Sequence, residues 1–341
     1  MSRISNVRVR PGRWCIRSAG LLAVSALMSA SCGPAGGVTT ASPNPSAPTT
    51  SGTVSPWLAY QWNGQIRVVR IDGTDDRVIA PDAPIGQEHP DWSPDGTQVV
   101  FETDFAVLWT VGIDGSDMRE IFRCLAPCYS IQDAAWSPDG AEIAFVMAET
   151  EDGVTTSRAA ILGLDVATGD LRTIFEDTSG RVWLFNPRWS PDGRSVVFEE
   201  DLFASDLLIE GTVETRVVAV VPADGSALPT SIARWSGSAA GRAGAPDWHP
   251  TSQLIVYSNA GNLHTVVPEG GGERQLTHFD GATEHAIQPT STPDRDSIVF
   301  TYVTGQFGVD DVPSGAMVGL DGSGMTSIGG EARITHPRVQ P

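Results

Sequence analysis

A short motif recurs along this chain and limits the folds that the chain can adopt. Three nearly identical copies and two diverged copies are present: PDWSPDG (Pro90–Gly96), AAWSPDG (Ala134–Gly140), PRWSPDG (Pro187–Gly193), PDWHPTS (Pro246–Ser252) and PTSTPDR (Pro289–Arg295). Aligned on the tryptophan, they define a column that contains Trp92, Trp136, Trp189, Trp248 and Ser291. A β-rich run such as VVFET or IAFVMA follows each copy. Self-similarity at a long and nearly regular period is typical of solenoids and propellers.

Turns of a second type alternate with this motif. Six are present: RIDGTDDRVI from Arg70, GIDGSDMREI from Gly112, LDVATGDLRTI from Leu164, PADGSALPTSI from Pro222, VPEGGGERQL from Val267 and LDGSGMTSI from Leu320. Asp-Gly between β-forming flanks is a strong hairpin signal. Each unit then reads strand, S-P-D-G turn, strand, strand, D-G turn, strand. Four short strands per unit predict the blade of a β-propeller, and six turns predict six blades.

Aspartate recurs in both turns, and we expect these aspartates to be structural. In S-P-D-G, proline fixes φ, aspartate caps the turn and glycine accepts a positive φ. This interpretation covers eight aspartates: Asp95, Asp139, Asp192 and Asp294 in the first type of turn, and Asp72, Asp114, Asp224 and Asp321 in the second. We also expect the tryptophan column to pack between neighbouring blades.

The chain ends inside a sixth copy of the motif. HPRVQP (His336–Pro341) resembles HPDWSP (His89–Pro94) and places Val339 in the tryptophan column. The missing strands are found at the other end of the repeat region, because Trp57–Ile79 aligns with the outer strands of the next unit at Val99–Ile121. The sequence therefore predicts ring closure in which one C-terminal strand joins three N-terminal strands.

The pairing of PxWSPDGxxIxF with xxDGxxxxxL resembles the TolB-like propeller family over residues 56–341. The resemblance implies an all-β, six-bladed β-propeller with 1+3 strand closure. Propellers of that family serve as protein-binding platforms, as domains joined to serine peptidases and, in a few cases, as enzymes. TolB itself carries an α/β domain before its propeller, whereas here we expect only a signal peptide and a disordered tether.

The first 55 residues have the composition of an export signal and a linker. Basic residues precede the apolar stretch Ala19–Ala30, which is too short to span a bilayer and which runs into SASC (Ser29–Cys32). Small residues before Cys32 favour a bacterial lipoprotein signal over residues 1–32, although Ser29 stands where such signals usually have leucine. Residues 33–55 are rich in Pro, Gly, Ser and Thr and predict a flexible linker. We expect an extracytoplasmic protein, lipid-anchored through Cys32 or alternatively secreted into the periplasm.

The net charge limits the kinds of partner that this chain can bind. The 341-residue chain has 22 basic and 41 acidic residues, for a formal net charge of −19. Such a surface repels nucleic acid and suits cations or a basic partner.

Cys124 and Cys128, in RCLAPCY, favour a local disulfide in an extracytoplasmic protein. We find too few ligands nearby for zinc, and the spacing differs from a redox C-x-x-C.

Polar residues recur three positions before the tryptophan column. These ring positions are His89, Asp133, Asn186, Ala245, Gln288 and His336. We expect them to converge where the innermost strands of the blades meet around the central channel. One interpretation is a set of hydrogen-bonded side chains that line a water-filled channel. The other is a small-ligand site or a site for a divalent transition metal, because two histidines, an aspartate and a glutamine could coordinate one.

Acidic residues concentrate in three predicted loops that share one face of the propeller. The candidates are Glu149, Glu151, Asp152, Glu199, Glu200, Asp201, Asp206, Asp310 and Asp311. They are either solvated loop charges or a docking surface for a basic partner or Ca²⁺.

The function that these patterns favour is a non-enzymatic binding platform in the cell envelope. We expect a monomer that engages an envelope protein or peptide through its loop-rich acidic face, which suits a basic partner. The alternatives are a propeller lyase or hydrolase with a metal in the channel, and a lipoprotein sensor of a small ligand. No G-x-S-x-G, H-E-x-x-H or Gly-rich phosphate loop occurs in the sequence.

Overall fold

The computed structural model describes residues 55–150, 156–203, 213–236, 244–250, 253–305, 311–330 and 332–341. Within these ranges the regular structure is entirely β. The first half of the strands are β1 Trp57–Trp62, β2 Gln65–Arg70, β3 Arg77–Val78, β4 Gln87–Trp92, β5 Gln98–Thr103, β6 Val107–Gly112, β7 Arg119–Arg123, β8 Cys128–Trp136, β9 Glu142–Thr150, β10 Thr156–Asp165, β11 Leu171–Asp177 and β12 Val182–Trp189. The second half are β13 Ser195–Phe203, β14 Val213–Pro222, β15 Thr230–Ser236, β16 Gly244–Trp248, β17 Ile255–Asn259, β18 Asn262–Val266, β19 Arg274–Gln275, β20 Glu284–Ser291, β21 Ser297–Thr304, β22 Val312–Gly319, β23 Thr326–Ile328 and β24 Thr335–Val339.

The strands form six antiparallel, four-stranded sheets, which are the six predicted blades. Blade 1 has the order β24-β1-β2-β3, and blades 2 to 6 each take four consecutive strands, from β4–β7 to β20–β23. In blade 1, Val339 lies opposite Leu58, and the Gln340 amide donates to the Trp57 carbonyl over 2.8 Å. The predicted 1+3 closure is therefore confirmed.

The hydrophobic core lies between neighbouring blades. One cluster joins Val146 of blade 3 to Phe198 of blade 4, and another joins Ile66 of blade 1 to Phe101 of blade 2. Each blade alone would leave these faces in water, so burial of apolar area holds the ring together.

The tryptophan column also connects the blades, as expected. Three indole N–H groups donate to a backbone carbonyl of the preceding blade: Trp92 to Arg338 (2.9 Å), Trp189 to Ala135 (3.2 Å) and Trp248 to Arg188 (3.1 Å). In each case the acceptor belongs to the residue just before the column position. The contact from Trp92 reaches β24, so the column ties the last strand of the chain to blade 2.

The repeated aspartates cap turns, as the sequence predicts. Each accepts a hydrogen bond from the backbone amide two residues further on, at 2.9–3.3 Å: Asp72, Asp95, Asp114, Asp139, Asp192, Asp224, Asp294 and Asp321. At Asp95 the Ser93 hydroxyl also donates, and these bonds lower the pKa of the carboxyl. These carboxylates are therefore occupied by their own turns.

A disulfide joins Cys124 to Cys128 in the connection between β7 and β8, with a Cα–Cα distance of 5.4 Å. This confirms the predicted pair. The signal segment, Cys32 and residues 33–54 of the linker lie outside the described residues, so their roles stay predictions. Among the residues described, no helix is long and apolar enough to cross a membrane.

Candidate functional site

The six ring positions share one backbone conformation. Their φ values lie between +47° and +59°, at His89, Asp133, Asn186, Ala245, Gln288 and His336. At each of these points the pairing of the inner strand with the next strand shifts by a β-bulge. A left-handed residue other than glycine costs roughly 1–2 kcal/mol. Ala245 adopts the same conformation as the five polar ring residues. The strained φ is therefore a property of the repeated strand geometry and not a sign that a particular side chain binds a ligand.

The bulges aim side chains toward the channel axis and leave backbone amides without strand partners. Side chains of the preceding blade accept from these amides: Gln61 from His89 (3.3 Å), Glu102 from Asp133 (3.4 Å), Asp133 from Asn186 (3.0 Å), Glu199 from Ala245 (3.0 Å) and Gln288 from His336 (2.9 Å). A side chain of the preceding blade thus satisfies five of the six ring amides.

A charged group occupies one side of the ring. The Nδ1 of His89 contacts the carboxylate of Glu102 directly and lies 3.6 Å from Asp133 Oδ1. Burial lowers the pKa of His89, but the charges of Asp133 and Glu102 outweigh it and raise the pKa to about 9. Burial also raises the pKa of Glu102, to about 7, although His89 opposes that shift. His89 is therefore a cation at neutral pH.

A neutral group occupies the other side. The imidazole of His336 meets that of His89 edge to face, with centroids 4.4 Å apart, and its Nε2 lies 2.5 Å from the amide nitrogen of Gln288. Burial lowers the pKa of His336 well below its usual value, and the His89 cation lowers it further. His89 is therefore protonated and His336 neutral at the same pH.

The free energy of unfolding should depend on pH because folding stabilises the protonated form of His89. The folded-state pKa is raised from 6.5 to about 9, so the contribution is complete below 6.5 and is lost as the pH rises through 9. We expect the free energy of unfolding to fall by on the order of 3 kcal/mol over that interval. In His89→Gln, which carries the side chain that blade 6 has at this position, the fall should be much smaller. Urea titrations at several pH values measure both, and parallel pH profiles would refute the assignment.

A second, charged layer lies two residues further along the inner strands and was not foreseen from the sequence. At four of the six column positions the preceding residue is charged and largely buried: Asp91, Arg188, Asp247 and Arg338. Arg338 approaches Asp91 at 3.8 Å and Asp247 at 3.6 Å. Charged residues just before the tryptophan column, in PDW, PRW, PDW and HPRV, were the available signal. Two arginines and two aspartates thus face each other inside the ring.

The acidic candidates do not all lie where loops were expected. β13 extends to Phe203, so Glu199, Glu200 and Asp201 are strand residues, and Glu199 and Asp201 are each 5% exposed. Arg216 of β14 lies 2.8 Å from Asp201, which explains how that carboxylate is accommodated. Glu149 belongs to β9 and pairs with Arg158 at 2.9 Å.

The remaining acidic candidates give less information. Asp311 is partly buried, and Glu151, Asp152, Asp206 and Asp310 lie outside the described residues. Among the described residues no group of three or more His, Cys, Asp or Glu side chains is arranged to hold a metal ion. A channel transition metal and loop-bound Ca²⁺ therefore stay predictions.

An aromatic pocket on the loop-rich face was not predicted. It has a volume of about 210 Å³ and lies between β8–β10 and β12. Three partly exposed aromatic side chains line it: Phe105 at 40%, Tyr129 at 60% and Trp183 at 37% exposure. Tyr129 directly follows the disulfide, and Phe105 lies beside the ring, 6.5 Å from the His89 imidazole. The three aromatics come from three blades, so no local sequence pattern announces the pocket.

The fold and ring define the class of protein as a six-bladed β-propeller with a polar channel. No family model matches the sequence. A protein of Agrobacterium fabrum described only as uncharacterized is 30% identical over 109 residues, which are 30% of this chain and 36% of that relative. The match thus spans about a third of the relative's length.

Several solved propeller structures are similar to this chain in fold. The structure assigned as TolB from Agrobacterium tumefaciens matches 81% of this chain and 89% of its own, with 20% identity and a TM-score of 0.57. TolB from Acinetobacter baumannii matches 85% of this chain and 68% of its own, with 16% identity and a TM-score of 0.60. An oligogalacturonate lyase from Vibrio parahaemolyticus matches 77% of this chain and 70% of its own, with 14% identity and a TM-score of 0.51. By fold, the chain is a TolB-like propeller.

Proposed function

We propose that this chain is a non-enzymatic binding platform of the cell envelope, and that it engages a basic protein or peptide through its loop-rich face. The observation that carries the proposal is the aromatic pocket formed by Phe105, Tyr129 and Trp183. Exposed tyrosine and tryptophan around an apolar depression are typical of interface hot spots. A pocket of about 210 Å³ suits one bulky apolar side chain of a partner.

The charge around the pocket supports a basic partner. Asp104 is exposed next to Phe105, and Glu88 lies close enough to Asp104 and Asp133 for their charges to raise its pKa, after burial as the main cause. With a net charge of −19, the whole chain would attract a cationic segment and speed its association. Likeness in fold to TolB also favours an extracytoplasmic binding role, and we propose export with lipid attachment at Cys32.

The test compares capture of envelope proteins by three forms of the chain. We expect Tyr129→Ala/Trp183→Ala to recover the specific partner at least about tenfold less well, because two aromatic anchors are removed. Leu228→Ala is the matched control, since Leu228 is 84% exposed on the opposite, turn-bearing face. Quantitative mass spectrometry of the eluates measures the recovery. Equal recovery by the pocket variant and the control would contradict the proposal.

A second candidate function is an enzyme that uses the channel. The observation in its favour is the pair of His89 and His336, whose pKa values move in opposite directions. Such pairs supply an acid and a base in many active sites. The fold likeness to a lyase is compatible with this candidate. Turnover of an acidic oligosaccharide that disappears in His336→Gln would favour the enzyme over the platform.

A further inference from the structure

One side of the channel mouth contains a cavity at Ala245. Its volume is about 250 Å³, and Asn186, Gln288 and His336 line it. Ala245 has the only apolar side chain among the six ring positions, all of which are described. The cavity therefore lies where the other blades place a longer polar side chain.

A carboxyl group borders this cavity. Glu199 is 5% exposed, and its Oε2 accepts from the Ala245 amide over 3.0 Å. The backbone of Gly244 makes room for it, since a Cβ there would lie 1.8 Å from Oε2. Gly244 also has a φ of +102°, which disfavours any other residue. The backbone of Gly244 and Ala245 thus packs closely around Oε2 of Glu199.

The second oxygen of Glu199 lacks a comparable partner. Among the described residues no donor lies within hydrogen-bond distance of Oε1, and the Nε of Arg216 is 4.0 Å away. That guanidinium is closer to Asp201, at 2.8 Å. Burial, and then the charge of Asp201, raise the pKa of Glu199 to about 8, and Asp133 adds to the shift. The carboxyl is therefore largely protonated at neutral pH, although the Ala245 amide and the guanidinium of Arg216, 4.0 Å from Oε1, both act to lower its pKa.

The rest of the lining is uncharged and combines polar side chains with the apolar Ala245 and Ile287. Asn186, Ser258 and Gln288 carry no charge, and His336 is neutral because its pKa is lowered by burial. Such a lining can accept hydrogen bonds from a ligand but offers no anion other than Glu199. A cation that entered would displace the proton of Glu199 and gain a buried ion pair.

We propose that the cavity at Ala245 binds an ammonium or guanidinium group, with Glu199 as its counter-ion. The group belongs either to a lysine or arginine side chain of a protein or to a free amine, and the two sources share this chemistry. The inference goes beyond the binding platform, because it requires neither the aromatic pocket nor a protein partner.

Isothermal titration of the purified protein with three probes tests the proposal. The probes are cadaverine, N-acetyl-arginine methylamide and the uncharged N-acetyl-citrulline methylamide. We expect at least one cationic probe to bind about tenfold or more tightly than the citrulline probe, because only a cation pairs with the carboxylate. Preference for cadaverine would indicate a free amine, and preference for the arginine probe would indicate a side chain. Titrations in buffers of different ionisation enthalpy should show proton release at pH 7, and binding should strengthen as the pH rises toward 8.

Three variants make the test specific. Glu199→Gln should abolish the preference for cations and the proton release. Ala245→Gln should block binding without touching the carboxyl, and Gln288 shows that this side chain fits a ring position with φ near +55°. Glu200→Gln is the control, because the neighbouring strand residue points to the opposite face. Equal binding of the citrulline probe, binding that survives Glu199→Gln, or no binding of any probe would overturn the proposal. The pocket variant Tyr129→Ala/Trp183→Ala should bind the probes normally, so this result stands apart from the test of the platform.

Discussion

Removal of residues 334–341 should abolish the single cooperative unfolding transition of the propeller. The deleted segment contains β24, which is the innermost strand of blade 1, and Ile334, which is fully buried. Its loss exposes the inner edge of β1 and removes the carbonyl that accepts from Trp92. We expect destabilisation of about 5 kcal/mol or more, which is comparable to the whole stability of many domains.

Calorimetry and circular dichroism during heating would measure this effect. Deletion of the exposed Pro341 alone is the matched control and should melt like the full chain. A synthetic peptide of residues 334–341 added to the truncated protein should restore part of the transition, because the strand pairs without a covalent link to β1. An unaltered melting curve after truncation would refute closure by β24.

The blades and their closure could be predicted because their signals are local and repeated. An S-P-D-G turn needs only its own residues: Asp95 accepts from Thr97 and Ser93 within five positions. The six turns of the second, D-G type fix the number of blades. The alignment of Val339 with Trp92 then predicts that the last strand of the repeat region pairs with the first, and β24 does pair with β1 in the structure.

The lengths of the strands could not be predicted in the same way. The run EEDLF after Val197 and Phe198 looks like the start of a loop, because three acids seldom lie in a buried strand. The strand continues because Arg216 lies opposite Asp201 in β14 and offsets its charge. That partner is 15 residues away. Local patterns do not contain this information.

The contacts of the ring side chains could not be predicted from local sequence either. Its six positions follow from the repeat, but the partners of its side chains come from neighbouring blades. Glu102 and Glu199 stand in the apolar runs VVFET and VVFEE, and each accepts from a ring amide of the next blade. A polar residue that interrupts a buried strand was the only sequence signal. The β-bulge that makes the amide available depends on a backbone conformation that the sequence analysis did not predict.

Arg338→Met should destabilise the protein strongly without removing any backbone contact of β24. Arg338 is buried, and its guanidinium lies between Asp91 and Asp247 at 3.8 and 3.6 Å. Burial lowers the pKa of Arg338 to about 10, and the nearby Arg188 adds to that shift, yet the group stays cationic at neutral pH. Methionine keeps much of the apolar volume but leaves two buried aspartates with less positive charge. We expect a loss of about 3–5 kcal/mol, as for other buried ion pairs broken on one side.

Rescue by charge removal separates this electrostatic cause from a packing defect. Asp91→Asn and Asp247→Asn added to Arg338→Met should recover a large part of the loss, because no uncompensated carboxylate then remains. Burial already raises the pKa of Asp91, and loss of Arg338 raises it further. Protonation in the folded state then offsets the missing cation, so the gap to the wild type should narrow as the pH falls from 7 toward 4.

Urea denaturation at both pH values measures these differences, with Arg333→Met as the control. Arg333 is exposed and lies over the ring of Trp62, at 5.4 Å from its centroid, so its loss should cost less than about 1 kcal/mol. If Arg338→Met and Arg333→Met unfold at the same urea concentration, the buried charges contribute nothing measurable. If the asparagine substitutions deepen the loss, the aspartates stabilise the ring through their bonds to the amides of Trp136 and Ser291 and not through Arg338.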